Sequence, residues 1–199
     1  MAKLFRSTKC RETVLMRNTF AVIVFSMAAT AALMAQTPPQ AQPASAPTPQ
    51  QMMGYFTGEW KLTGTASISP GSPKAPYRAT ERGEWLPGGH FVEIHSVSHG
   101  PLGDVHTVRM IEYNSEDSTF TYNAYNSLGE HVVALCKVQG DTWVWNADEK
   151  MNGIATKARY TLSLTSPNSY NFKSEVQKPD GGWATVMEGT AARAPMQRH

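Results

Sequence analysis

The feature that most constrains this chain is the even spacing of its turn formers. From Trp60 onward they recur as "SPGSPKAP" (69–76), "PGG" (87–89), "GPLG" (100–103), "NSED" (114–117), "NSLG" (126–129), "QGD" (139–141), "MNG" (151–153), "TSPNS" (165–169) and "KPDGG" (178–182). These nine breaks delimit ten short segments rich in Val, Ile, Thr, Tyr, Phe and Trp, residues that suit a pleated, half-buried surface. Alternation within the segments has the period of a strand. In "ARYTLSL", Ala158, Tyr160, Leu162 and Leu164 share one face and Arg159, Thr161 and Ser163 the other; Tyr170, Phe172, Ser174 and Val176 likewise oppose Asn171, Lys173 and Glu175. Only "QQMMGYF" (50–56) reads as a short helix. Ten strands joined by tight turns form a meander, and closing it on itself removes both exposed edges. The expected fold is therefore all-β, a roughly ten-stranded antiparallel up-and-down barrel, with a two-sheet sandwich as the alternative.

Upstream of the strands the chain changes character twice. Residues 1–19 carry Lys3, Arg6, Lys9, Arg11 and Arg17 against one acid, Glu12, and the apolar run Phe20–Met34 follows, then Ala35. A basic leader, an apolar stretch too short to span a bilayer and small residues at its end read as a signal peptide over 1–35. No cysteine follows the run, so a lipid anchor is not expected. Residues 36–50, "QTPPQAQPASAPTPQ", hold five prolines and no charge, the composition of an extended tether. The domain is expected over 51–193, with 194–199 as a tail. The expected location is periplasmic or extracellular, with no stable membrane anchor once the signal is cleaved. Without residues 1–35 the chain keeps 13 basic and 15 acidic residues, and no basic stripe remains to engage nucleic acid. Cys136 is then the sole cysteine, so no internal disulfide staples the domain.

Chemistry-bearing clusters are sparse. The stretch "GHFVEIHSVSHGPLGDVH" gathers His90, His95, His99 and His106, but His90 and His95 are an odd number of residues apart and face opposite sides of a strand. Without Cys, Asp or Glu at ligand spacing, no metal and no cofactor are expected. No serine sits in a strained Gly-x-Ser-x-Gly turn, and Cys136 alternates with Val132, Ala134 and Val138 like a packed small hydrophobe. Arg159, Lys173, Glu175 and Glu188 alternate with apolar neighbours, and an outer, solvated face is the expected home for them. The aromatics carry the binding signal. They recur on successive strands, and the expected ligand-lining set is Trp85, Phe91, His95, Tyr122, Trp143, Trp145, Tyr160 and Phe172. Such residues either line a cavity or fill it, and sequence leaves both open.

The order of short helix, "TGEW", ten strands, "GGHFVEIHS", "IEYNSEDSTFTYNAYNSLGE", "GDTWVWNAD", "TSPNSYNFKSEVQKPDGGW" and "EGTAAR" resembles the bacterial family catalogued as domain of unknown function 1579. The resemblance covers about residues 51–193. It implies a lipocalin-like fold of the calycin group and no established activity. In calycins a Gly-x-Trp opens the first strand and a basic residue from the last strand packs over the indole. Gly58, Trp60 and Arg193 match those positions and are the expected plug of one barrel end. The related nitrobindin branch binds haem through a histidine from late in the barrel, whereas this chain has none between His131 and His199. Nor does "ARYT" supply the Arg-x-Tyr pair that fatty-acid-binding relatives use for a carboxylate.

The expected function is accordingly binding of a small apolar or amphipathic ligand by an exported, non-enzymatic barrel. The alternatives are a filled barrel serving as an envelope interaction module, haem binding, and a hydrolase or isomerase using His95 or His106 with Glu93.

Overall fold

The computed structural model describes residues 46–151 and 154–195. Residues 1–45, which hold the expected signal peptide and most of the expected tether, lie outside the described residues, as does the end of the expected tail. The chain enters through a one-and-a-half-turn helix, α1 (Pro49–Gly54), and then runs through ten strands: β1 (Gly58–Ala66), β2 (Ala75–Trp85), β3 (Phe91–Gly100), β4 (Gly103–Asn114), β5 (Thr119–Asn126), β6 (His131–Gln139), β7 (Thr142–Met151), β8 (Ile154–Ser166), β9 (Ser169–Gln177) and β10 (Trp183–Arg193). Every strand pairs antiparallel with its neighbours in sequence, and β1 pairs with β10, so the sheet is a closed up-and-down barrel. That closure excludes the two-sheet sandwich.

Helix α1 begins inside what the composition assigned to the tether. Thr48 caps it: its hydroxyl accepts the Gln51 N–H at 3.2 Å, while the Gln51 side chain accepts the Thr48 N–H at 2.8 Å. Pro49 sits in the first turn, where a missing N–H leaves no bond unmade. Thr48, Pro49 and Gln50 are therefore part of the folded unit, a boundary that uncharged, proline-rich composition hides.

The helix covers one end of the barrel. Met53 and Phe56 are buried from this side, and Phe56 meets the edge of Trp143 at 5.0 Å between ring centroids. Trp143 in turn packs against Phe120 at 4.7 Å. With Val92, Cys136 and Ala134, these side chains form the core of the helix-proximal half. Burying a side chain the size of Phe56 stabilises the fold by about 1.5 to 3 kcal/mol, enough to hold a helix too short to persist alone.

Closure of the cylinder depends on two glycines paired across β1 and β10, Gly64 and Gly189. A Cβ on Gly64 would stand 2.1 Å from the carbonyl oxygen of Glu188, and one on Gly189 would stand 2.2 Å from that of Thr63. The first and last strands meet here at a distance that only hydrogen side chains permit.

Candidate functional site

At the helix-covered end, the first strand and the last are joined by side chains. Gly58 holds a left-handed φ of +86°, a conformation glycine adopts freely, and this lets the chain turn from α1 into β1. Two residues on, Trp60 is buried, and the Arg193 guanidinium lies over its indole at 4.3 Å. Arg193 also donates to the carbonyl oxygens of Thr57 and Tyr55, the latter at 2.9 Å. One side chain thus ties β10 to β1 and to the end of α1. Pairing continues one residue further, where the Ala194 N–H donates to the Glu59 carbonyl at 2.8 Å.

Beyond this plug the barrel is hollow. A cavity of about 840 Å³ runs from Phe56, Leu62 and Tyr170 at its floor to a mouth rimmed by Gly129, Glu130 and His131 at the end remote from α1. This volume lies in the range of pockets that enclose drug-sized molecules, about 300 to 1,000 Å³. A filled interior is thereby excluded. Apolar wall comes from Ile94, Ile111, Trp145, Leu162, Phe172 and Met187. Tyrosine hydroxyls and the charged side chains of Glu81, Arg109 and Glu149 interrupt it.

Arg109 on β4 reaches across the inner face of β3 to pair with Glu81 on β2. The Glu81 side chain is only 8% accessible and that of Arg109 28%. Burial disfavours the guanidinium charge, but the Glu81 carboxylate outweighs it and holds the Arg109 pKa above its ordinary value. The Arg109 Nε is buried with no hydrogen-bond partner. Nearer the mouth, the Tyr160 hydroxyl donates to the Glu149 carboxylate. Burial pushes the Glu149 carboxyl up, and the charge of Glu130 adds to this although the Tyr160 bond opposes it. Tyr122 is pushed up to about 12, chiefly by burial. Its ring stands edge-on to Trp145 at 5.3 Å and to Tyr160 at 6.1 Å.

Of the aromatics and histidine expected to line a ligand site, Tyr122, Trp145, Tyr160 and Phe172 stand together on the cavity wall. The other four do not, and the expected set is corrected accordingly. Trp143 is 1% exposed and lies in the solid core beneath the cavity, between Phe56 and Phe120. Trp85 sits beside Gly54 at the helix-covered rim. Phe91 and His95 are out of phase with the buried Val92, Ile94 and Ser96 of β3 and project outside. His95 there contacts Glu93 at 3.1 Å, and exposed His106 lies on the outer face of β4, so neither histidine converges with an acid in the cavity. Among the described residues no group of three or more His, Cys, Asp or Glu is placed to hold a metal ion.

Arg159, Lys173 and Glu175 occupy the outer face, where Arg159 and Lys173 both pair with Glu175, at 2.8 and 3.2 Å, and Arg159 covers the ring of Trp183 at 4.3 Å. Glu188 pairs with Lys74. The Cys136 thiol is buried, and burial pushes it up to about 12; it packs as a core side chain.

The residues missed in the sequence are Glu81, Arg109 and Glu149. Each sits in phase with apolar residues: Glu81 with Tyr77 and Ala79, Arg109 with Ile111 and Tyr113, Glu149 with Trp143, Trp145 and Ala147. A charge in the apolar register of a strand is the signal that would have found them.

A closed ten-stranded antiparallel barrel, plugged by a tryptophan and an arginine at one end and hollow at the other, is a lipocalin-like barrel. The chain belongs to the family described as protein of unknown function (DUF1579), which matches residues 46–193. Among solved structures it is similar to the S-type phycobiliprotein lyase CPES from Guillardia theta, with 12% identity and a TM-score of 0.54 over 74% of this chain and 93% of that one. A de novo designed fluorescence-activating β-barrel aligns at 18% identity over 71% of this chain and 96% of that one, with a TM-score of 0.40. At 12% identity the likeness to the lyase is one of fold alone. No curated protein sequence matches the chain.

Proposed function

We propose that this domain is a binding protein for a small amphipathic molecule, taken up through the mouth remote from α1 and held in the barrel. The observation that carries the reading is the cavity itself: about 840 Å³, walled by aromatic and aliphatic side chains, with a few polar groups at fixed positions. Most of the binding energy would come from burying the ligand's apolar body among Tyr122, Trp145, Leu162 and Phe172, at about 25 cal/mol per Å². The Glu81–Arg109 pair and the tyrosine hydroxyls would set its orientation. No catalytic step is assigned. We further propose that the barrel acts outside the cytoplasm, a reading supported by the basic and apolar pattern of residues 1–35; amino-terminal sequencing of the protein from fractionated cells tests it, and a mature form retaining residues 1–35 in the cytosol would refute it.

The direct test is titration with N-phenyl-1-naphthylamine, an apolar probe that fluoresces on leaving water, together with native mass spectrometry. A saturable enhancement at one equivalent is expected. Ala124→Phe, which adds a ring at the cavity wall, should weaken it at least tenfold. An absence of saturable binding, or binding indifferent to Ala124→Phe, would sink the proposal.

A further inference from the structure

The charges on the inner wall define the head group of the ligand, an inference that rests on the cavity-binding reading above. We propose that the barrel selects an amphipathic molecule with a cationic end, an alkyl or aryl amine, whose ammonium group is seated at the mouth by the Glu149 carboxylate among the rings of Tyr122, Trp145 and Tyr160.

Along the cavity, the charged side chains that stand in the inward phase of their strands are Glu81, Arg109 and Glu149. Arg109, the inward cation, is committed to Glu81. A ligand carboxylate placed on its remaining N–H groups would also stand beside the Glu81 carboxylate, and two like charges sharing one site disfavour each other. Glu149 is the unbalanced charge. It has no ion-pair partner among the described residues and accepts one hydrogen bond, from Tyr160.

The groups around the mouth do not supply the missing cation. Asp148 is held by Lys157 at 2.8 Å, and Glu130 accepts from the Asn126 amide at 2.6 Å. Lys150 borders the mouth and is exposed, but it follows Glu149 directly, so strand alternation turns its side chain to the opposite face. His131 stacks on Tyr125 on the outer face at 4.5 Å. Lys173 borders the cavity, but its ammonium is held by Glu175 at 3.2 Å on the outer face. Two carboxylates, Glu149 and Glu130, therefore face the entering molecule, and the upward push on Glu149 reflects its burial and that repulsion.

An ammonium reverses each of these penalties. It gives Glu149 a counter-charge and a charge-assisted hydrogen bond. It also sits against the electron-rich faces of nearby rings, where a desolvated cation is attracted most strongly. A neutral alcohol would be tolerated, and an anionic head would be repelled.

The test compares decylamine, decan-1-ol and decanoate, one tail with three heads, by isothermal titration calorimetry against the purified protein at neutral pH. The amine is expected to bind at least about tenfold more tightly than the alcohol, the worth of one hydrogen bond to a charged group, and decanoate more weakly than either. Glu149→Gln should abolish the amine's preference, read as the ratio of amine to alcohol affinity in the same variant. A second readout needs no variant: lowering the pH through the Glu149 carboxyl should erase the amine's preference in the native protein. If decan-1-ol binds but the amine shows no preference, or keeps it in Glu149→Gln, or decanoate binds best, the head-group assignment is overturned while cavity binding stands. If none of the three binds, the cavity reading and the assignment fall together.

Discussion

Replacing Arg193 with alanine removes the side chain that joins the first strand, the last strand and the end of α1. Its guanidinium lies 4.3 Å above the Trp60 indole, a cation–π contact worth about 0.5 to 2 kcal/mol. It also donates to the carbonyl oxygens of Thr57 and Tyr55, and bonds to a charged group contribute about 1.5 to 3 kcal/mol each when buried. Arg193 is half-buried, so solvent screening brings the hydrogen bonds toward or below the low end of that range. The expected loss for Arg193→Ala is about 2 to 4 kcal/mol. For a domain of roughly 150 residues that corresponds to about 5 to 15 °C in Tm. Urea unfolding followed by tryptophan fluorescence, with calorimetry at matched concentration, measures it. Arg193→Lys keeps the charge without the planar fork and should recover less than half of the loss. A variant within about 0.5 kcal/mol of the parent would refute the plug, because an arginine making these contacts cannot be removed without consequence.

Further expectations follow from the barrel seam, the core and the two carboxylates. Gly64→Ala places a methyl 2.1 Å from the Glu188 carbonyl and should destabilise the domain by about 2 kcal/mol or more as β1 and β10 part; an unchanged urea midpoint would contradict the seam. The Cys136 thiol, pushed up to about 12, should resist a thiol reagent at pH 8 until the protein is unfolded, and rapid labelling of the native protein would contradict its burial. Arg159 and Lys173 hold Glu175 below its ordinary carboxyl value despite the opposing effect of burial, so its stabilisation is present above the unfolded pKa and lost as pH falls through the lowered one. Glu149, held above its ordinary value by burial, has the opposite sign: stability falls as pH rises from the unfolded pKa through the raised one. In unfolding series from pH 3 to 8, Glu175→Gln should reduce the acid-side loss and Glu149→Gln should flatten the fall on the other side; pH profiles identical to the parent's would refute both assignments.

The turn formers made the strands legible because each tight turn draws on a small set of residues, and ten such segments have few ways to bury their edges. Trp60 and Arg193 were legible for a related reason, as they stand at the start of the first strand and the end of the last. The cavity was harder to read. Parity tells which residues share a face but not how deep each lies along the barrel, so Trp143 and Trp145, on the same face of β7, were equivalent in sequence. In the fold, Trp143 is sealed under Phe56 by α1 while Trp145 reaches the hollow half. Aromatic recurrence alone does not place Phe91 and His95, because the strand phase set by Val92 and Ile94 turns both outward. Glu81, Arg109 and Glu149 escape a reading of composition because a charge in a strand ordinarily faces water; in a hollow barrel the inner face is wet enough to hold a few of them if they are paired or hydrogen-bonded.

The central claim is that the hollow half of the barrel takes up an amphipathic molecule beside Trp145. Heteronuclear NMR of the tryptophan indole N–H groups during titration with decan-1-ol tests it most directly, because Trp60, Trp85, Trp143, Trp145 and Trp183 sample the plug, the helix-covered rim, the solid core, the cavity wall and the outer face. Binding in the cavity predicts a large, saturable shift at Trp145 with Trp85 and Trp183 unmoved. A titration that leaves Trp145 unchanged, or that moves Trp85 and Trp183 as far as Trp145, would contradict it.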